Sequence, residues 1–421
     1  MYNNKSNNNN LNLTSYKLAV LLLCFSFLIY NYVLQVSPSV MTNQLIRTFK
    51  LNGLALGNLA TAYFYTYILV QLFAGPLLDK YSPKIITSLD ISIMSIGVIE
   101  FSQSSIKIEA IFWRAFIGIG AAFTTLSYMK IIGDMFQKQF AFFSGLLATG
   151  AMLGSILGQK PILKLIELFD WRDTLFYIGI AGIILAITFF LIVRYNNNNN
   201  NIKIHHHNKI SIKAIKKMLK NKYNWYLMLY SGCIFTPIPV FGGLWGVPFL
   251  EAHYHFDISH AASLTSTIFL GLAIGGPIIG LINLKYNKTY EIMMFNLFIS
   301  LLSLIILIYI DNLSYLLLLI FSFLLGFSVS VFMLGFVIGR NINPIFLSAT
   351  VIAFINTGDA IFGAFTEPTL GKLLDIFNKN AISAADFSIH DYKISFMILP
   401  VYAILSMIFL YKLKPCLVVK K

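Results

Sequence analysis

The sequence predicts an all-α membrane protein with twelve transmembrane helices in two pseudo-symmetric six-helix bundles, and three observations support this fold. Of 421 residues, 57% are hydrophobic and only 11% are charged, whereas soluble globular proteins average about 25% charged residues. Long stretches such as 18–46 and 312–339 carry no charge, and about 20 apolar residues suffice to cross a bilayer. Short motifs also recur at corresponding places in the two halves of the chain. Together these features exclude a soluble enzyme, a disulfide-rich secreted domain and a disordered protein.

Apolar runs bounded by charged and turn residues mark the twelve predicted spans. They cover residues 18–41, 55–78, 83–104, 108–132, 139–161, 172–193, 223–250, 260–284, 289–310, 314–339, 346–371 and 393–411. The connections are mostly short, but the sixth and seventh spans are joined by a long segment with an Asn run and a basic stretch. We therefore expect a tail (1–17), an N-terminal bundle (18–193), a linker (194–222), a C-terminal bundle (223–411) and a second tail (412–421).

The distribution of Lys and Arg predicts the orientation of these spans. The net charge of +14 would suggest nucleic-acid binding in a soluble chain, but here the basic residues lie between apolar runs. If the N-terminus is cytoplasmic, 20 of the 31 Lys and Arg residues are on the cytoplasmic side, 9 are outside and 2 are within a span. This bias follows the positive-inside rule. We expect a multi-pass protein of the cell inner membrane with both termini in the cytoplasm, in contact with lipid and not with nucleic acid.

The sequence contains no clear motif for a cofactor, a metal ion or catalysis. Cys24, Cys233 and Cys416 are too few for a disulfide framework or a metal site. The run 205–207 is three consecutive histidines, which could bind a metal but lacks the spacing of a metal site. No phosphate-binding loop or nucleophile motif occurs. We expect no enzyme activity, no cofactor and no metal.

Two short repeats relate the halves of the chain. Gly75-Pro76 closes the second span, and Gly276-Pro277 recurs in the eighth. Thr149-Gly150 in the fifth span is followed by Thr357-Gly358 in the eleventh. Parallel repeats of this kind are typical of transporters whose substrate site lies near the midplane between the halves.

The stretch GPLLDKYSPK, residues 75–84, resembles the loop 2-3 signature of the major facilitator superfamily. Three other passages are similar to motifs of the same superfamily: Arg114 to Ala122 in the fourth helix, the glycines at 145, 150, 154 and 158 in the fifth, and Trp171-Arg172 at the start of the sixth. Residues 36–41, 243–249 and 339–344 resemble the phagosomal nutrient (amino-acid) transporters of intracellular bacteria. Antiporters of the superfamily have a proline where this chain has Ala151, which disfavours drug efflux.

The resemblance implies a secondary transporter that imports a small polar nutrient, an amino acid or short peptide, by alternating access. It also implies proton coupling and a monomer. Efflux of a drug or siderophore is the alternative within the class, and a receptor or scaffold that does not transport is the alternative in another class. By the same resemblance, a cytoplasmic latch would be formed by Gly75, Asp79, Lys80 and Lys84. Asp90, about six residues from Lys84, is expected to belong to the same network.

Charged residues at membrane depth mark candidate functional groups, because they are costly there. Arg114 in the fourth span could pair with a substrate carboxylate or a titrating acid; the alternative is snorkelling to the headgroups. Asp359 near the middle of the eleventh span could exchange a proton, or could make a structural hydrogen bond. Glu367 precedes Pro368 near the outer end of that span, where we expect a solvated mouth.

Polar and aromatic residues within the spans complete the predicted substrate site. Asn31 and Gln35 lie one turn apart on the first span with Tyr30 beside them, although helix packing is an equal alternative. The other candidates are Thr125, Trp245 and Asn356. Three prolines and three glycines crowd residues 237–248 of the seventh span, which predicts a broken helix. Gly150, Gly154 and Gly158 are expected to allow close packing of the fifth span.

Overall fold

The computed structural model describes residues 3–136, 140–194, 216, 218–344, 347–378 and 387–418. Within these ranges the chain is helical and contains no strand. The helices of the N-terminal half are α1 (Asn3–Val36), α2 (Thr42–Phe49), α3 (Gly53–Lys80), α4 (Pro83–Gln103), α5 (Lys107–Met135), α6 (Phe140–Leu157), α7 (Lys160–Phe169) and α8 (Trp171–Ile192).

The C-terminal half repeats this arrangement of long and short helices. Its helices are α9 (Lys222–Phe235), α10 (Gly246–Tyr254), α11 (Ile258–Tyr286), α12 (Thr289–Tyr309), α13 (Tyr315–Val329), α14 (Phe332–Asn341), α15 (Ser348–Phe377), α16 (Ile389–Ser395) and α17 (Ile398–Val418). A π-helix, Ile238–Trp245, joins α9 to α10.

The predicted all-α membrane fold is confirmed. Ten segments of the described chain are long and apolar enough to cross a bilayer, and the fifth and eleventh predicted spans form α6 and α15. The seventh span is broken at the π-helix, as its prolines and glycines predicted. The tenth and twelfth spans are also interrupted, between α13 and α14 and between α16 and α17, which the sequence did not predict.

Short polar residues fix where several helices begin. The side chains of Asn52, Asp170, Asn221, Asp257 and Ser314 each accept a hydrogen bond from a backbone amide in the first turn of the helix that follows. Such caps satisfy amides that have no partner within the helix. The sequence therefore sets the register at which these spans start.

Small residues allow close packing within the N-terminal half. A Cβ atom added at Gly154 would lie 2.6 Å from the carbonyl oxygen of Ile29, and one added at Gly158 would lie 2.5 Å from Val36. Gly150 packs in the same way on Phe25. The expected close approach of the fifth span to its neighbour is confirmed, and that neighbour is α1.

The two halves meet most tightly at one end of the bundle, which we call the sealed end: the end where α3 begins and α15 finishes. A Cβ atom at Gly53 would lie 2.5 Å from the carbonyl oxygen of Gly371, and one at Gly57 would lie 2.6 Å from Cα of Pro368. The carboxylate of Asp375 accepts hydrogen bonds from the amides of Gly53 (2.6 Å) and Leu54 (2.8 Å). The backbones of α3 and α15 are therefore in direct contact here.

Candidate functional site

A small cavity lies between the two halves, next to the sealed end. It is lined by α1, α3, α5 and α6 on one side and by α9, the π-helix, α11 and α15 on the other. Its volume is about 30 Å³, which is room for one or two water molecules. The polar side chains that line it are Tyr32, Gln35, Arg114, Ser155 and Glu367.

Arg114 supplies the positive charge of this cavity. It is 3% exposed, and its two terminal nitrogens donate to the carbonyl oxygens of Leu34 (2.6 Å) and Gln35 (2.9 Å) at the end of α1. The guanidinium also lies over the ring of Tyr63, 5.2 Å from its centroid. These contacts hold the cation in place, because the last carbonyls of a helix have no partner within it. Within the described part of the chain no group accepts a hydrogen bond from the buried Nε atom, so Arg114 keeps hydrogen-bonding capacity that these contacts do not use.

Glu367 supplies a carboxyl group from the opposite half. Our expectation of a solvated mouth is wrong, because this side chain is 2% exposed. The insertion of α15 against α3 buries it: Oε2 accepts a hydrogen bond from the hydroxyl of Thr61 (3.0 Å), and its backbone oxygen accepts one from Nε1 of Trp245 (3.3 Å). Position within the span gave no sign of this burial, since it depends on packing between the halves.

The three residues of the first span that were predicted to bind substrate lie in different places. Gln35 lines the cavity. Asn31 lies behind it, where its side-chain oxygen accepts a hydrogen bond from the hydroxyl of Tyr63 (2.8 Å), and so supports the ring under Arg114. Tyr30 points away from the cavity and donates to the hydroxyl of Ser95 on α4 (3.1 Å).

The candidates on α5 and the π-helix are also separated. Thr125 follows Arg114 by eleven residues, about 16 Å along the helix, and it does not line the cavity. Trp245 is fully buried and contacts the backbone of Glu367.

Asp359 lies outside the cavity. It precedes Glu367 by eight residues, about 12 Å along α15, and is 5% exposed. The hydroxyl of Ser231 on α9 lies beside this carboxylate, but within the described part of the chain neither carboxylate oxygen has a hydrogen bond of normal geometry. Asn356, one turn earlier, lies against the hydroxyl of Tyr67 on α3. Asp359 and Asn356 therefore form a second polar region at the interface.

The predicted latch is only partly visible. The side chains of Gly75, Asp79 and Lys80 lie outside the described residues. The ammonium group of Lys84 lies over the ring of Phe190, 4.3 Å from its centroid. Asp90 is buried against α5, with Oδ2 unpartnered in the described region, and it forms no ion pair with Lys84.

Gln159 is a buried junction that the sequence did not reveal. Its side-chain oxygen accepts hydrogen bonds from Ser39 (3.0 Å) and Thr265 (3.1 Å), and its amide nitrogen donates to the carbonyl oxygen of Gly242 in the π-helix (2.9 Å). It therefore joins the short 3₁₀ helix after α1 (Ser37–Val40) to α11 and to the π-helix across the halves. A single glutamine between α6 and α7 carries no sequence signal for this role.

Comparisons with known proteins agree with this architecture. The family model described as "Major Facilitator Superfamily" matches residues 19–366. The chain is 25% identical over 393 residues to the uncharacterized transporter YybO of Bacillus subtilis, covering 85% of this chain and 87% of that protein. It is 24% identical to a probable L-galactonate transporter of Escherichia coli, covering 61% of this chain and 59% of that one.

A solved structure shares the fold. The crystal structure of a bacterial homologue of the human lysosomal transporter Spinster, in an inward-facing and occupied conformation, superimposes with a TM-score of 0.76 at 17% identity, covering 95% of this chain and 97% of the other. The paired six-helix halves, the cavity between them and the match of the family model over most of the chain lead to one conclusion. This chain belongs to the Major Facilitator Superfamily and is a transport protein, not an enzyme.

Proposed function

We propose that this transporter imports a small carboxylate-bearing nutrient, an amino acid or short peptide, and holds its carboxylate at Arg114. The observation that carries the proposal is that Arg114 lines the cavity between the halves and that its buried Nε atom has no hydrogen-bond partner among the described residues. A buried donor without an acceptor is unfavourable, and hydrogen bonds between guanidinium and carboxylate are among the strongest in proteins. A solute carboxylate would supply the missing acceptor.

Alternating access follows from the size of the cavity. At about 30 Å³ it admits water but no amino acid, so binding requires the halves to move apart. The sealed end is closed by backbone contact between α3 and α15, and entry is therefore expected from the opposite end. With the orientation that the positive-inside rule favours, the sealed end faces outward and the conformation is closed to the outside of an inner membrane.

Proton coupling is assigned to Asp359 in this proposal. Its carboxylate is buried in the interior of α15, and the described polar side chain beside it is the hydroxyl of Ser231. An intramembrane carboxylate without a partner is costly when charged, and it can carry a proton when its exposure changes during the cycle. Asn356, on the turn before, contacts α3, so movement of the halves would alter the surroundings of Asp359.

A sugar acid is the second candidate. The E. coli relative is described as a probable L-galactonate transporter, and such a solute carries one carboxylate and several hydroxyl groups. Tyr32, Gln35 and Ser155 line the cavity beside Arg114 and can exchange hydrogen bonds with hydroxyl groups. Both candidates share the carboxylate that Arg114 would bind.

Uptake by proteoliposomes tests the proposal. Vesicles with an inside-negative potential are offered pooled labelled amino acids and dipeptides, or L-galactonate, with and without an inward proton gradient. We expect gradient-dependent accumulation of an amino acid or dipeptide, and loss of that uptake in Arg114→Gln. The matched control is Arg172→Gln, because Arg172 also donates to two backbone carbonyls, those of Ser102 and Ser104, at the end of a helix but lies outside the cavity. An equal loss of uptake in both variants would mean that Arg114 only caps the end of a helix. Transport in the outward direction alone would favour efflux.

A further inference from the structure

Glu367 is the cavity carboxylate that the proposed function has not used. It lies on α15, in the C-terminal half, while Arg114 lies on α5, in the N-terminal half, and both line the same cavity. The two side chains are buried, at 2% and 3% exposure. They face a shared space, yet they form no ion pair with each other.

The fixed positions of the two charges keep them apart. Arg114 is held by the end of α1 and by the ring of Tyr63. Glu367 is held by Thr61 through Oε2 and by Trp245 through its backbone oxygen, and within the described part of the chain no group donates to Oε1. Each of the two side chains thus retains hydrogen-bonding capacity that no described group uses. A buried ionised group is unfavourable unless something pairs with it.

We propose that Glu367 determines specificity by receiving the protonated amine of a solute whose carboxylate faces Arg114. This inference rests on the proposed function, and it narrows the substrate class to zwitterions. A zwitterion supplies a cationic donor for Glu367 and an anionic acceptor for Arg114 in one molecule. A hydroxy acid satisfies Arg114 but leaves the Glu367 carboxylate without a cation, and sites that leave a buried polar group unpaired discriminate strongly against the incomplete ligand.

The hydrogen bond from Thr61 to Glu367 allows the effect of the carboxylate charge on specificity to be separated from the effect of side-chain packing. In Glu367→Gln the side-chain oxygen can still accept from Thr61, so the contact between the halves is preserved while the negative charge is lost. In Thr61→Val the hydroxyl is lost but the carboxylate remains charged. The two variants are close in size to the residues they replace, and both are checked for a single monodisperse species and an unchanged thermal transition in detergent.

The test compares two pools of labelled solutes in proteoliposomes of the full-length protein. One pool contains the standard L-amino acids, and the other contains L-2-hydroxy acids with the same side chains; L-galactonate is a third probe. The measured quantity is the ratio of amino-acid uptake to hydroxy-acid uptake. We expect Glu367→Gln to lower this ratio by about tenfold or more, the effect of losing one charge-assisted contact, and Thr61→Val to leave it unchanged.

Other outcomes separate the two proposals. If Glu367→Gln lowers uptake of both pools by the same factor, or if Thr61→Val changes the ratio as much as Glu367→Gln does, Glu367 has no role in selecting the amine. Uptake of hydroxy acids or L-galactonate in preference to amino acids by the unaltered transporter would also contradict the inference, while leaving recognition of the carboxylate intact. Full activity of Arg114→Gln on every probe would instead overturn the proposed function.

Discussion

The carboxylate of Asp375, near the end of α15, accepts a 2.6 Å hydrogen bond from the amide of Gly53, the first residue of α3. The adjacent amide of Leu54 donates to the other carboxylate oxygen. The first amides of a helix have no partner within it and carry a partial positive charge. The C-terminal half therefore caps a helix of the N-terminal half, and this contact forms only while the sealed end is closed.

Removing the charge of Asp375 should weaken the sealed end. In Asp375→Asn the interaction with the start of α3 should lose roughly 1 kcal/mol, so the ratio of closed to open molecules should fall about fivefold. Spin labels at Lys50 and Lys372, which are both exposed and lie one on each half, report the distance across this end by pulsed electron resonance. Asp311→Asn is the control, because Asp311 pairs with Lys393 within the C-terminal half. An unchanged distance distribution in Asp375→Asn would show that backbone packing alone closes this end.

A single methyl group at Gly57 should force the halves apart. Its Cβ would lie 2.6 Å from Cα of Pro368 and 2.7 Å from the carbonyl oxygen of Glu367, and neither backbone atom can move aside without moving α15. We expect Gly57→Ala to reduce uptake and to lengthen the distance between Lys50 and Lys372. Gly280→Ala is the matched control, since no atom lies within 4 Å of a Cβ added there. Normal uptake by Gly57→Ala would mean that α15 is free to shift.

Replacing the carboxyl group of Asp359 with an amide should uncouple transport from the proton gradient without stopping exchange of the solute across the membrane. We expect Asp359→Asn to abolish accumulation against a gradient while counterflow of the same solute continues, because the side chain lies about 12 Å along α15 from the cavity carboxylate. Glu291→Gln, an exposed carboxyl in the first turn of α12, serves as the control. If accumulation and counterflow both persist in Asp359→Asn, the carboxylate has a structural role only.

Replacing Gln159 with leucine should destabilise the protein. The change leaves Ser39, Thr265 and the carbonyl of Gly242 without their shared partner at a fully buried position. Unpaired buried polar groups cost about 1–3 kcal/mol each, so we expect a clearly lower thermal transition in detergent. Gln103→Leu, at the exposed last position of α4, should leave the transition almost unchanged. A small effect in Gln159→Leu would indicate that water replaces the amide.

Sequence reasoning succeeded where local chemistry decides the structure. Long apolar runs fix the membrane spans, prolines and glycines break the seventh span, and glycines spaced by four let α6 approach α1. It also drew attention to Arg114, a cation inside an apolar run, and the structure buries this side chain beside the cavity. In each of these cases the signal lies within one segment of the chain.

The same reasoning failed where two distant segments decide the outcome. Glu367 looked solvated from its position in the span, but α3 covers it and Thr61 bonds to it. Tyr30 and Gln35 lie close together on α1, yet only Gln35 faces the cavity, because Tyr30 is directed to Ser95. Such outcomes depend on contacts between helices, which the residue pattern of a single helix does not encode.

The π-helix at Ile238–Trp245 has a mechanical consequence of its own. A π-turn holds about one residue more than an α-turn, and successive α-helical residues are rotated by about 100°. If this stretch returned to α-helical winding, α10 would therefore rotate about its own axis by roughly that angle. Trp245 would then leave the backbone of Glu367, and the face that α10 presents to its neighbours would change. A change of winding in these eight residues would in this way be coupled to a rotation of α10 beside the cavity.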